Sequence, residues 1–243
     1  MEIWAHRGCS QMYPENTLTA FNKAAVLKGL AGIELDIQLT RDGHMVVCHD
    51  EDVSRTTDGI GRLCDHTLAE LKKLKIDAGD GKYERIPEMA EVLDLLKDKM
   101  QNGLRLNIEL KNSIIPYEGM EEKIVSLIER YNLQDKVVYS SFYARSIEKI
   151  RKICPGGVSE TAILDNKVSD CLYKLKGGCG ADALHPYWRG MDLPAEEIRR
   201  YTVRAYFSGH LYPEKPTGTK LDLTALEQKG ITDVFLNEPE RYL

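Results

Sequence analysis

Residues 87–110, PEMAEVLDLLKDKMQNGLRLNIEL, read as one helix-to-strand unit, a helix over 87–100 and a strand over 104–110. The same alternation continues with helices over 117–131, 144–153, 167–175, 194–200 and 223–229. Strands lie between and after them at 136–140, 157–163, 183–184, 203–207 and 233–236. With extended runs at 2–6 and 32–37, the chain holds eight β/α units. Strands alternating with helices of this length call for a parallel sheet, and eight units in 243 residues fit a closed (β/α)8 barrel. An open doubly wound sheet is the poorer fit, because no glycine-rich fingerprint opens the first helix. The expected class is therefore α/β, a TIM (β/α)8 barrel.

The N-terminal third is less uniform. Leu18, Phe21, Ala24, Ala25 and Leu27 have helical spacing within 16–28, closed by Gly29. After the second strand, Asp42-Gly43 is a hairpin turn leading to an extended run at 45–48. Residues 50–85 are the least regular, with a loop at 56–61 and a short helix at 67–74 begun by a Thr-x-x-Glu capping box. They read as a small insertion after the second strand, inside one barrel domain spanning 1–243. Asp50-Glu51-Asp52 imitates the start of a calcium loop, but Arg55 stands where that loop needs glycine and Gly61 where it needs glutamate.

Composition narrows the functional classes. A formal charge of −5 and a pI near 5.8, with basic residues scattered among acids, argue against nucleic acid as a partner. No apolar run approaches the roughly 18 to 20 residues that cross a bilayer, and the N-terminus shows no basic, then apolar leader. The expectation is a cytoplasmic protein with no stable membrane association. Six cysteines without a CxxC pair make a zinc ribbon or dithiol site unexpected. Oligomeric state is left open.

Four strand ends carry ionisable side chains that a doubly buried strand should exclude: His6-Arg7, Glu34/Asp36, His49-Asp50 and Glu109/Lys111. Strand side chains repeat with period two, so the members of Glu34/Asp36 and of Glu109/Lys111 share a face. Barrel sites lie at the C-terminal ends of strands, where these residues fall. Three carboxylates a few ångströms apart repel by about 4 kcal/mol per pair at an effective dielectric of 20, unless a cation or protons sit among them. Glu34, Asp36 and Glu109 thus suggest one hard divalent ion, Mg2+ or Ca2+, with Mn2+ as a further candidate. The bland alternative is salt bridging at the barrel mouth. His6 and His49 flank the carboxylates as an acid and a base on opposite faces of a reacting centre would. Arg7 and Lys111 add fixed positive charge suited to a phosphoryl group.

His6-Arg7-Gly8, Pro14-Glu15-Asn16-Thr17, Glu34-Leu35-Asp36, His49-Asp50, Arg55-Thr56-Thr57 and Glu109-Leu110-Lys111, in this order, resemble the glycerophosphodiester phosphodiesterase family. The resemblance covers the first 111 residues closely. It implies a TIM barrel with an insertion after the second strand and a divalent ion held by Glu34, Asp36 and Glu109. It also implies His6 and His49 as the acid–base pair and Arg7 and Lys111 as phosphate ligands. The implied reaction is hydrolysis of a small-molecule glycerophosphodiester to glycerol phosphate and an alcohol.

The remainder matches more loosely. Ser141-Phe142 and His185-Pro186 stand where the family often has similar pairs. The family's Trp-Thr-Val-Asn stretch is replaced by Ala205-Tyr206-Phe207-Ser208-Gly209, and its closing Thr-Asp-x-Pro by Leu236-Asn237-Glu238-Pro239. This divergence leaves the alcohol portion of the substrate open. Residues 208–220, with His210 and Tyr212, read as a solvated connection, with a pocket-rimming loop as the alternative. Two competing readings are a non-catalytic barrel binding a phosphorylated metabolite and a metal-dependent aldolase on the same fold.

Overall fold

In the computed structural model, residues 1–207 and 220–243 are described; the 208–219 segment read above lies outside them. Among the described residues the strands are β1 Glu2–His6, β2 Gly32–Leu39, β3 Met45–Val47, β4 Ile76–Asp77, β5 Tyr83–Glu84, β6 Arg105–Leu110, β7 Val137–Ser141, β8 Glu160–Asp165, β9 Ala183–Pro186, β10 Thr202–Tyr206 and β11 Asp233–Leu236. The α-helices are α1 Leu18–Ala24, α2 Leu68–Leu71, α3 Met89–Gln101, α4 Met120–Tyr131, α5 Ala144–Ile153, α6 Val168–Lys174, α7 Ala195–Ile198 and α8 Leu223–Gln228.

Strand order β1-β11-β10-β9-β8-β7-β6-β2, with β1 also pairing β2, closes an eight-stranded parallel barrel. Period two decides what each strand faces. On β2, Ile33, Leu35 and Ile37 point outward into a core shared with Met89, Val92, Leu93 and Leu96 of α3, whose spacing is that of one helical stripe. Glu34, Asp36 and Gln38 therefore point inward. A second outer core joins β8, β9, β10 and β11 to α6 and α8. Inside the barrel, Trp4, Val138, Ala162, Ala183 and Phe235 pack together. Trp4 fits because β2 starts with Gly32, where a Cβ would stand 2.3 Å from the indole.

Polar residues also fill the N-terminal end of the barrel, which the strand-end reading did not foresee. Glu160 pairs with Arg204 at 2.6 Å and with Arg105. Arg204 lies 3.6 Å from Asp233, and the guanidiniums of Arg105 and Arg204 sit 5.1 and 5.5 Å from the Trp4 ring.

Several element ends differ from expectation for local reasons. Helix α1 starts at Leu18 because Asn16 takes a left-handed backbone (φ 55°) and Thr17 caps the first turn by accepting from the Ala20 N–H. Helix α4 starts three residues late because the Tyr117 N–H is tied to Asn112 Oδ1 at 2.5 Å. Strand β3 pairs antiparallel with β2, and the insertion follows it. The insertion holds α2 with its Thr67/Glu70 capping box, the β4–β5 hairpin and a small core of Val46, Cys48, Val53, Leu63, Leu71, Ile76 and Ile86. All six cysteines are free thiols. No helix among the described residues is long and apolar enough to cross a membrane.

Candidate active site

Beyond β1 the chain reverses through two left-handed residues, Arg7 (φ 57°) and Gly8 (φ 82°). A Cβ on Gly8 would sit 2.7 Å from the Ala20 carbonyl carbon, so glycine lets this loop lie against α1. The reversal aims the Arg7 N–H at Glu34, whose backbone oxygen and Oε2 accept at 2.9 and 3.1 Å. It also brings Arg7 Nε to 3.3 Å from Asp36 Oδ2.

Register places the acids together. Asp36 pairs with Glu109 across β2 and β6, and Glu34 lies two residues back on the same face. One oxygen from each of Glu34, Asp36 and Glu109 lies within 4.8 Å of the others, and all three side chains are buried. Lys111 Nζ donates to Glu109 Oε1 at 2.9 Å and lies 3.9 Å from Asp36 Oδ1. Arg7 and Lys111 thus offset two of the three negative charges. Burial and the neighbouring Asp36 and Glu109 charges push the Glu34 carboxyl well above the usual carboxylate range. Burial would also raise Asp36, but the charges of His49, Arg7 and Lys111 outweigh it and hold Asp36 below that range. Asp36 Oδ1 is buried without a hydrogen-bond partner. An all-oxygen set of three buried carboxylates, one of them driven towards protonation by its neighbours, with a bare Asp36 oxygen, fits a hard divalent cation.

The two histidines are fixed through Nδ1. His6 Nδ1 donates to Asn237 Oδ1 at 2.7 Å, and its Nε2 lies 3.7 Å from Glu34 Oε2. Burial and the Arg7 charge push His6 down to about 3, so its imidazole is neutral. His49 Nδ1 donates to Asp50 Oδ1 at 2.6 Å. The backbone carrying His49 is held by Gln38, whose Nε2 donates to the carbonyls of Cys48, His49 and Asp50 at 3.0, 3.2 and 2.7 Å.

His6, Arg7, Glu34, His49 and Glu109 line one cavity of about 280 Å³, with Asn107 beside them. Asp36 and Lys111 stand behind this wall. The opposite wall is apolar and aromatic, made by Phe142, Leu164, Tyr206, Phe207 and Phe235 with His185. All seven residues singled out from the sequence thus meet at one barrel mouth.

Sequence reasoning gave no role to the residues that hold them. Glu15 accepts from Arg7 Nη1 at 2.9 Å, and Asn16 Nδ2 donates to Asp36 Oδ2 at 2.9 Å. Thr17 caps α1, so the run 14–17 holds an arginine, a carboxylate and a helix in turn. Its presence among the resembling motifs was the available signal. Gln38, Asp50 and Asn237 gave less: Gln38 is the third inward residue of β2, and Asn237 belongs to a stretch that departs from the family pattern.

The Glycerophosphoryl diester phosphodiesterase family model matches residues 6–167. The chain belongs to this family. Within the glycerophosphoryl diester phosphodiesterases, a relative from Caldanaerobacter subterraneus is 47% identical over 156 residues, 63% of each chain. A glycerophosphodiester phosphodiesterase from Bacillus altitudinis is 44% identical over 99% of this chain and 96% of its own. Among solved structures, an Oleispira antarctica phosphodiesterase in complex with the product sn-glycerol-3-phosphate matches with a TM-score of 0.77 at 27% identity. The match covers 99% of this chain and 94% of that one. By family the chain is a phosphoric diester hydrolase on a TIM barrel.

Proposed function

We propose that the protein hydrolyses glycerophosphodiesters to glycerol phosphate and an alcohol, using a divalent cation held by Glu34, Asp36 and Glu109. A single observation carries the reading: three carboxylates cluster at one cavity wall, and two of them, Glu34 and Glu109, line it together with two imidazoles, each tethered through Nδ1. The product-bound Oleispira relative supports a small-molecule substrate of this class. The cation would supply Lewis-acid polarisation of the phosphoryl oxygens.

Arg7 places guanidinium charge at the cavity wall, where it binds and orients the diester, and Lys111, donating to Glu109 behind that wall, adds ammonium charge that favours the anion. Burial and the Arg7 charge keep the His6 imidazole neutral, and with Nδ1 taken by Asn237 it is assigned as the base that takes the nucleophile's proton. His49, held through Nδ1 by the Asp50 carboxylate at 2.6 Å, is assigned as the acid that protonates the departing alkoxide. Carbon-rich parts of the alcohol face the Phe142 and Tyr206 wall. Six unpaired thiols support a reducing compartment, consistent with the cytoplasm.

The test is release of glycerol phosphate from glycerophosphocholine and of nitrophenol from bis(p-nitrophenyl) phosphate, with Mg2+, Ca2+ or Mn2+ and after chelation. Turnover that is lost on chelation and restored by one of these ions is expected. Undiminished turnover in a His6→Ala, His49→Ala double variant would falsify the assignment.

A further inference from the structure

Arg55 makes contacts that none of the roles above uses. It closes a single 3-10 turn, Val53–Arg55, in the inserted segment, and its side chain is 44% exposed. Its guanidinium meets two carboxylates. Nη1 and Nη2 donate to Glu15 Oε2 and Oε1 at 2.8 and 2.7 Å. Nη2 reaches Asp50 Oδ1 at 3.1 Å, and Nε donates to Asp50 Oδ2. Each carboxylate is at the same time the partner of a site residue: Asp50 of His49 at 2.6 Å, and Glu15 of Arg7 at 2.9 Å. Five side chains thus form one unbroken run, His49, Asp50, Arg55, Glu15, Arg7, that crosses from the insertion to the loop after β1. The turn itself is fixed, because Asp52 accepts from the Ser54 N–H at 2.9 Å and Val53 is buried in the insertion's own core.

We infer that Arg55 is a positioning residue for His49 and Arg7 together, so that the inserted segment sets the spacing between an acid–base imidazole and a phosphate-binding guanidinium. This rests on the phosphodiesterase reading above. A planar guanidinium can meet both oxygens of Glu15 and both of Asp50 at once, four hydrogen bonds that the three donors of an ammonium cannot make. Without it Asp50 keeps only His49 and Glu15 keeps only Arg7, and no side chain couples the two pairs, although Gln38 still holds the His49 backbone and Glu34 and Asp36 still meet Arg7. Displacement of a reacting group by about 1 Å costs up to about a hundredfold in rate.

The full-length protein is compared with Arg55→Met and Arg55→Lys on bis(p-nitrophenyl) phosphate at saturating Mn2+. Expected for Arg55→Met is a fall in kcat of roughly ten- to hundredfold, with Mn2+ affinity retained. Millimolar guanidinium, far below denaturing levels, restores part of the loss, whereas ethylammonium does not. Arg55→Lys stays close to Arg55→Met. The Arg55→Met, Asp50→Asn double variant is no slower than the slower single variant, because both act through one network. Independently of turnover, the His49 Nδ1–H proton resonance is protected in the parent and lost in Arg55→Met. Unchanged kcat in Arg55→Met overturns the inference, as does a loss that guanidinium fails to restore while the Nδ1–H resonance persists. A parent that cleaves no diester, yet loses that resonance in Arg55→Met, sinks the phosphodiesterase reading and leaves the positioning role standing.

Discussion

Asn16 donates to Asp36 Oδ2 at 2.9 Å from a backbone held at φ 55°. The bond takes up one oxygen of Asp36 and leaves the other, Oδ1, without a hydrogen-bond partner beside Glu34 and Glu109. An outer residue that aims a ligand in this way typically contributes 10- to 100-fold to metal affinity. Asn16→Ala is expected to weaken divalent-ion binding by about that factor, read by calorimetric titration with Mn2+ or Ca2+. Binding equal to the parent's would show that Asp36 is oriented without Asn16.

Ligand and acid–base roles separate experimentally. Glu34→Gln and Glu109→Gln are expected to lose both ion binding and turnover. His6→Ala and His49→Ala should retain ion binding while turnover falls by about a hundredfold or more. Parallel calorimetry and phosphodiesterase assays on the four variants decide it, and a histidine variant that no longer binds the ion would merge the two roles.

Gly8 combines a left-handed backbone with contact against the Ala20 carbonyl carbon. Gly8→Ala should therefore lose about 2 kcal/mol or more of stability, from left-handed strain plus overpacking. Urea unfolding of the variant measures it. A midpoint equal to the parent's would mean that the loop can move off α1.

Glu15 gives a pH dependence. Burial raises its pKa, but hydrogen bonding from Arg55 and the charges of Arg7 and Arg55 outweigh that and hold it below the usual carboxylate range. The unfolded chain then binds the extra proton first, so stabilisation by Glu15 is fully present above about pH 5 and is lost as pH falls through the folded value. The stability gap between the parent and Glu15→Gln should be constant from neutral pH down to about 5 and narrow below about 4. Urea midpoints measured across that range test this. A gap that widens on acidification would reverse the sign.

The barrel was legible because its outward faces repeat with two clean periods: Ile33, Leu35 and Ile37 every second residue, and Met89, Val92, Leu93 and Leu96 along one helical stripe. The same alternation put Glu34 with Asp36, and Glu109 with Lys111, on the inner face. Element ends were less legible, since they are set by contacts distant in sequence or by single φ angles, as at Asn16 and in the Asn112–Tyr117 bond. Charge at strand ends also proved an incomplete guide. Arg105, Glu160, Arg204 and Asp233 form a second ionic cluster at the opposite end, beyond the reach of any local pattern because its members come from four strands. The supporting shell was missed for a similar reason. Asn237 meets His6 across 231 residues, and nothing near either one announces the other.

That second cluster has a kinetic consequence. With the Arg105 and Arg204 guanidiniums over the Trp4 ring, and Trp4, Val138 and Ala162 fully buried, the described residues close the barrel interior beneath the cavity. Departing molecules are therefore expected to leave by the side from which fresh ones arrive, so that accumulated product competes for entry.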